Sequence, residues 1–251
     1  MALTMGRADL HIHTVASDGM ATVGEVLDYA ENHARLDIIS VTDHDDLVPG
    51  LRARDLAARW GLHVAVVPGM EVTTLNGHVL ALFLEEPVPS MRSLPYTIEA
   101  IHAKGGVCVI PHPFSWLVFS VGRYQLESLL LQGDRALWPD ALETANPSPA
   151  GRVTRQVVQK LNRELYKLPR VGGSDAHFQQ AIGTGFTHFP GSTPEDLKKA
   201  ILHGSVRPGT ADAVHPARHT ARQVATQTFR ALVLHPRKLV RRVALQAMGD
   251  V

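Results

Sequence analysis

Residues 7–19 read RADLHIHTVASDG, and the fold turns on how this stretch is read. Leu10 and Ile12 alternate with His11 and His13, the period of a strand, in which side chains repeat every two residues. Both imidazoles therefore share one face, and two inward nitrogens from positions about 7 Å apart along a strand can chelate one ion. The turn Ser17-Asp18-Gly19 then offers a carboxylate. An apolar run meeting a ligand-type residue recurs down the chain. VTDHDD carries Asp43 and His44, PGMEV carries Glu71, NGHVLAL opens with His78, VIPHPF holds His112, and GGSDAH holds Asp175 and His177. Imidazole and carboxylate are ligands for Zn, Mn and Fe. Taken singly the signals are weak: His-x-His pairs and Asp-Gly turns are common without metals, and Thr42 or Asp45 would serve equally as helix caps. Glu71 is more telling, because a carboxylate ending an apolar strand needs a charge partner if buried, and a cation supplies one.

The apolar runs RADLHIH, LDIISVTDH, LHVAVVPGMEV, HVLALFL, GVCVIPH, DALETAN and LPRVGGSDAH are short, rich in Val, Ile and Leu, and bounded by Gly, Pro, Asp or Asn. Buried parallel strands have this composition. Helical patterns lie between them. Thr22 and Glu25 form a capping box at the start of the stripe Val23, Val26, Leu27 and Ala30. Leu47 to Trp60 repeats the helical period, as does Tyr96 to Lys104, which stops at Gly105-Gly106. Thr193 caps a helix running through His203, with Pro194 in its first turn. About seven βα units in one domain predict a barrel or a doubly wound sheet. Ligand-type residues at the ends of nearly all the strands meet at one point only if the sheet closes, which favours the barrel.

Composition sets further bounds. A chain of 251 residues accommodates one large α/β domain, and 45% hydrophobic with 20% charged residues is ordinary for a soluble globular protein. The single cysteine, Cys108, excludes an internal disulfide, and its run GGVCVIP predicts a buried thiol. No leader pattern and no apolar run of roughly 18 residues is present, so no transmembrane segment and a cytoplasmic location are expected. Charge is uneven. Residues 212–251 carry seven Lys/Arg (Arg218, Arg222, Arg230, Arg237, Lys238, Arg241, Arg242) against Asp212 and Asp250, while residues 1–211 carry 18 basic and 22 acidic side chains. The barrel is assigned to residues 1–211 and a basic, helical extension to residues 212–251. Residues 220–248 have helix-forming composition, expected to break at Pro236. They predict amphipathic helices packed on the barrel or a partner subunit, or else a basic helix touching an anionic membrane surface or nucleic acid. If the extension binds anionic surfaces, deleting residues 212–251 is expected to abolish salt-sensitive lipid or nucleic-acid binding and leave turnover of small substrates unchanged. Eight of the fourteen histidines (His33, His63, His102, His188, His203, His215, His219, His235) lie outside the motifs and form no comparable constellation.

Taken in order, DLHIHTVASDG, VTDHDD, PGMEV, PHP and GSDAH resemble the motifs of the PHP (polymerase and histidinol phosphatase) superfamily, over roughly residues 7–210. The resemblance implies a distorted (βα)7 TIM-like barrel binding two or three divalent ions, Mn, Fe or Zn. It implies one ion held by His11, His13, Glu71 and Asp175, with Glu71 bridging to a second held by His78 and His112. Asp18, His44 and His177 would hold a third, and Asp43 would stand behind the ligands. The implied activity is hydrolysis of phosphate esters by a metal-bound hydroxide, without a side-chain nucleophile from Ser17, Ser174 or Cys108. Leaving-group protonation would fall to a metal-bound water or to a nearby acid, Asp43 or His177, and a phosphate clamp to Arg152 or Arg123. Glu71 and His78 are only seven residues apart, and Pro113 to Asp140 has room for one helical excursion. No large inserted domain then covers the site, which suits nucleotides, short oligonucleotides or small phosphomonoesters as substrates. A histidinol-phosphate-type phosphatase, a hydrolase of non-phosphorus esters or amides, and a non-enzymatic metal-stabilised binding module are the alternatives.

Overall fold

His11 and His13 leave the first strand of a nine-stranded sheet whose order is β7-β6-β5-β4-β3-β2-β1-β8-β9. In this computed structural model, which describes residues 4–212 and 220–248, the strands are β1 Met5–Ile12, β2 Ile38–Val41, β3 Ala65–Thr74, β4 Gly77–Leu82, β5 Val107–Ile110, β6 Ala141–Ala145, β7 Arg170–Gly172, β8 Gly185–Pro190 and β9 Arg207–Thr210. The helices are α1 Val23–Asn32, α2 Val48–Trp60, α3 Leu94–Ala103, α4 Arg123–Leu131, α5 Pro149–Arg152, α6 Arg155–Leu161, α7 Pro194–Leu202, α8 Ala221–Phe229 and α9 His235–Met248. The sheet curls into a nearly closed barrel: the Gly172 N–H donates to Thr187 Oγ1 and that hydroxyl donates back to the Gly172 carbonyl, both at 2.9 Å, so β7 returns onto β8.

Local chemistry explains the helices. Thr22 and Glu25 form the expected capping box of α1, and Thr193 with Asp196 forms one on α7. Val26, Leu27 and Ala30 of α1 are buried in one apolar cluster with Val41 and Val66 of the sheet, each such side chain contributing about 2 kcal/mol.

Two features depart from an all-parallel reading. First, β3 and β4 pair antiparallel, as do β4 with β5, β1 with β8 and β8 with β9. Only two residues, Leu75 and Asn76, separate the Thr74–Gly77 pair, too few for a helical crossover. Gly77 has φ +131°, and a Cβ there would lie 2.1 Å from the Val121 nitrogen. Because β4 runs backwards, its first residues stand at the same barrel end as the C-termini of the parallel strands, and His78 arrives there. Second, β8 and β9 had no apolar-run signature. The strand β9 is the short, partly exposed segment RPGT, with Pro208 and Gly209 tolerated at a sheet edge.

The extension is one continuous helical rod across Pro236 instead of a break. A π-helical turn, Arg230–Leu234, joins α8 to α9, and the His235 N–H bonds to the Arg230 carbonyl. The extra residue of that turn relieves the clash a proline ring makes with the preceding turn. No described helix is long and apolar enough to cross a membrane.

One surface pair carries a pH dependence. His102 of α3 places Nδ1 2.9 Å from the Ala136 carbonyl and Nε2 3.0 Å from Asp140 Oδ2. Both partners are acceptors, so only the imidazolium satisfies both, and the Asp140 bond raises the pKa of His102 despite its partial burial. The folded pKa exceeds the unfolded value of about 6.5, so this stabilisation is complete below that value and is lost as pH rises through the folded pKa. Wild type should lose on the order of 1 kcal/mol more than His102→Gln between pH 6 and the alkaline side of that titration. Denaturant midpoints of the two proteins across that range check it, and parallel curves would refute it.

Candidate metal centre

The bulged end of β1, where the register shifts between Asp9 and Ile12, points His11 and His13 at the same place. Their Nε2 atoms are 3.1 Å apart, and both rings are buried. Glu71, from β3, lies between the histidines. Its Oε2 is 3.4 Å from His11 Nε2, 3.2 Å from His13 Nε2 and 3.2 Å from His44 Nδ1. Its Oε1 is 3.1 Å from His78 Nδ1 and 3.2 Å from His112 Nε2. Asp175 Oδ1 lies within 3.4–3.6 Å of His11, His13 and His177. Asp18 Oδ2 is 3.0 Å from His177 Nε2, and its Oδ1 is 3.7 Å from His13 and 3.8 Å from His44. All nine residues read from the sequence as ligand types therefore converge. They form four overlapping groups: His11–His13–Glu71, His11–His112–Asp175, His44–Glu71–His78 and His13–Asp18–His44–His177.

This donor set fits cations better than it fits a hydrogen-bond network. His11 Nδ1 is 3.1 Å from Glu143 Oε1, His177 Nδ1 is 3.0 Å from the Asp175 carbonyl, and His112 Nδ1 is 2.8 Å from Ser120 Oγ. Donation at Nδ1 leaves Nε2 of each ring as a bare lone pair facing the cluster, the usual way a histidine ligand is oriented. His44 Nδ1 is buried with no hydrogen-bond partner, although Glu71 is close. Ligand atoms around an ion with bonds of roughly 2.1 Å stand roughly 3.0–3.4 Å apart, a range that takes in all five Glu71–imidazole distances.

Electrostatics tie the buried carboxylates to the imidazoles around them. Burial opposes ionisation of Glu71, yet the imidazoles of His44, His78 and His11 outweigh it and hold the carboxyl well below its usual range. Asp175 behaves likewise, burial being overcome by His11, His13 and His177. Burial drives His44 below its ordinary pKa, whereas at His11, His13, His78 and His177 the neighbouring carboxylates overcome burial and raise it. Asp175 (φ +54°) and His112 (φ +30°) also adopt left-handed backbone conformations. For residues other than glycine such strain collects at functional sites.

The residues read as acid or clamp fare differently. Asp43 is a brace: its Oδ1 accepts from the Thr14 N–H (2.8 Å), the Ser17 N–H (3.1 Å) and Ser17 Oγ (2.5 Å), and its Oδ2 from Thr14 Oγ1 (2.6 Å). It is fully buried, so it is not placed to protonate a leaving group. Nδ1 of His177 is held by the Asp175 carbonyl and Nε2 faces Asp18, which suits a ligand and leaves no nitrogen for a separate acid role. Arg152, exposed at the end of α5, does line the cleft above the cluster. Arg123 does not, being paired with Glu127 at 2.7 Å. Cys108 is buried in β5, and burial pushes its thiol well up.

Three contributors escaped sequence reading. Glu143 of β6 is 3.1 Å from His11 Nδ1 and accepts from the His112 N–H at 2.8 Å. Its signal was available, since a carboxylate inside the apolar run ALETA is as anomalous as Glu71. Asp45 ties Thr73 and Ser90 beneath His44, accepting from the Thr73 N–H and Oγ1 and from Ser90 Oγ. His235, counted among the scattered histidines, stacks 4.4 Å from His44 at 33°. Nothing local marks it, because the helical rod brings it back over the site. His215 and His219 lie outside the described residues. The extension therefore belongs to the site: Leu232, His235 and Leu239 line a cleft of about 1220 Å³ with Trp116 and Phe119 opposite. Turnover independent of the extension is not to be expected. Its cations Arg230, Lys238 and Arg242 engage the barrel itself, which removes them as free contacts for an anionic surface.

Comparison with known proteins follows the same lines. The family model described as PHP-associated matches residues 162–206. An uncharacterized protein of Methanocaldococcus jannaschii, MJ1587, is 31% identical over 127 residues, covering 46% of this chain and 72% of that protein. The 5′-3′ exoribonuclease Rnm of Salmonella typhimurium is 27% identical over 232 residues, 90% of this chain and 70% of that enzyme. A two-domain protein from Bacteroides vulgatus, described as containing a predicted PHP-like metal-dependent phosphoesterase, has a TM-score of 0.65 at 18% identity. That match covers 83% of this chain and 65% of the Bacteroides chain, and the likeness is one of fold. The motif order, the barrel that gathers nine ligand-type side chains, and these relatives lead to one assignment: the chain belongs to the PHP superfamily.

Proposed function

We propose that this chain is a metal-dependent phosphoesterase that hydrolyses nucleotides or short oligonucleotides. The observation that carries the reading is Glu71, a buried carboxylate with five imidazoles from four separate segments within 3.4 Å. His11, His13, Glu71 and Asp175 would hold one divalent ion, and Glu71, His78 and His112 a second. Asp18, His44 and His177, with His13 close by, would hold a third. A nitrogen and oxygen donor set of this kind accepts Mn, Fe or Zn. Such ions, when bound, supply Lewis acidity toward phosphoryl oxygens and a hydroxide nucleophile at neutral pH.

The side chains around the cluster do the rest. Glu143 and Ser120 hold the tautomers of His11 and His112. Arg152 is the rim cation suited to a non-bridging phosphate oxygen. Trp116 is 75% exposed and Phe119 is 50% exposed beside the cleft, and they form a platform on which a base can stack, an interaction worth about 1–3 kcal/mol. The exoribonuclease named among the relatives supports a nucleic-acid substrate.

The test is turnover of 5′-mononucleotides, short RNA oligonucleotides, histidinol phosphate and simple alkyl phosphates by Mn²⁺-replete protein. Hydrolysis should favour nucleotides over alkyl phosphates at least about ten-fold in kcat/KM, consistent with one stacked base. Faster turnover of histidinol phosphate would move the assignment to that phosphatase class. No turnover of any substrate would leave a metal-stabilised binding module.

A further inference from the structure

We propose that the C-terminal helical rod is a positioning element of the metal centre, fastening from outside the two loops that carry Asp18 and His44; this rests on the reading of those residues as ligands. The loop after β1 is fixed on its inner side by Asp43, through Thr14 and Ser17. Its outer side presents the carbonyls of Val15 and Ala16, which no backbone N–H of the described residues reaches. Arg230 Nη2 donates to the first and Lys238 Nζ to the second, both at 2.5 Å. The loop is thus held from both sides, and Asp18 projects from it toward His13, His44 and His177.

The second loop is treated the same way. Arg242 pairs with Asp46 at 3.0 Å, His235 Nε2 lies 3.9 Å from Asp45 Oδ2, and the His235 ring covers His44. Four residues of one helix face therefore grip the segments on either side of the Asp18–His44 pair. The π-helical turn makes this face continuous. Its five-residue repeat places His235, where a regular helix would place Leu234, in line between Arg230 and Lys238. The hydrogen bonds and ion pairs described between rod and barrel fall on these two loops, so the effect should fall first on the Asp18–His44–His177 position.

Metal binding, read without turnover, tests this. Mn²⁺ is titrated calorimetrically into metal-free full-length wild type, R230M/K238M, Arg242→Met and His177→Ala, with melting curves recorded for each. Wild type should show several classes of site. His177→Ala identifies the class that depends on the Asp18–His44–His177 group. In R230M/K238M that class alone should weaken at least ten-fold, in Arg242→Met it should weaken less, and R230K/K238R should recover to within about three-fold. Unchanged affinities in R230M/K238M would overturn the proposal. Uniform weakening of every class with a lowered melting temperature would do so too, because the rod would then be supporting the barrel as a whole. Wild type that binds no Mn²⁺ would instead remove the ligand reading itself, and this inference with it.

Discussion

Replacing Glu71 by Gln is expected to lower kcat/KM by at least 10³, about 4 kcal/mol at 1.36 kcal/mol per decade, and to reduce bound metal by one or more ions. The side chain keeps its volume, so the core beside Met70 and Val72 stays packed. What changes is charge and donor sense. Glu71 Oε2 serves His11, His13 and His44 while Oε1 serves His78 and His112. An amide would keep one acceptor and replace the other oxygen by an NH2 group, which has no lone pair to offer a cation. It would also remove the negative charge that the surrounding imidazoles stabilise. Metal analysis of the dialysed variant, alongside rates on a nucleotide, measures both effects. Full metal content with a large rate loss would mean that Glu71 acts on the substrate instead of bridging ions; activity within ten-fold of wild type would remove it from the site.

How much of this was legible before the structure follows from what each residue's neighbours are. His11 and His13 could be paired because strand periodicity is local, and the other ligand types could be collected because a closed sheet brings strand ends together. The direction of β4 was not legible: its composition matches a parallel strand, and only the two-residue link at Leu75-Asn76 forces the reversal. His78 reaches the cluster for a reason the parallel reading did not contain. Asp43 looked like a spare acid, being one residue from a ligand, and its role emerged only from the loop folding back so that Thr14 and Ser17 saturate it. His235 is the clearest limit. It sits in a basic helix separated from the barrel motifs, and its place over His44 depends on a π-helical turn that no residue pattern announces.

Asp43 also supplies the sharpest separation between a chemical and a structural role. Asp43→Ala should cost roughly 3 kcal/mol of stability, because Thr14 and Ser17 are left with unpaired buried donors, and should reduce turnover more than 100-fold as the Asp18 loop loosens. Asp43→Asn should behave quite differently. Its carbonyl can still accept from the Thr14 and Ser17 N–H groups that Oδ1 serves now, and its amide can donate to Thr14 Oγ1, which already accepts from the Ala16 N–H and has a second lone pair. The Thr14 hydroxyl proton loses its acceptor and the Ser17 hydroxyl donates to a neutral oxygen, while both backbone bonds remain, so the variant should retain within about ten- to thirty-fold of wild-type rate and most of the stability. A general acid contributes typically 10²–10⁴ in rate and cannot be replaced by an amide. If Asn and Ala variants lost activity equally, with the alkaline limb of the pH–rate profile abolished in both, Asp43 would have to be delivering a proton. Near-normal melting and a preserved pH profile in Asp43→Asn, beside a crippled Asp43→Ala, would establish that its work is to hold the Asp18 loop in place.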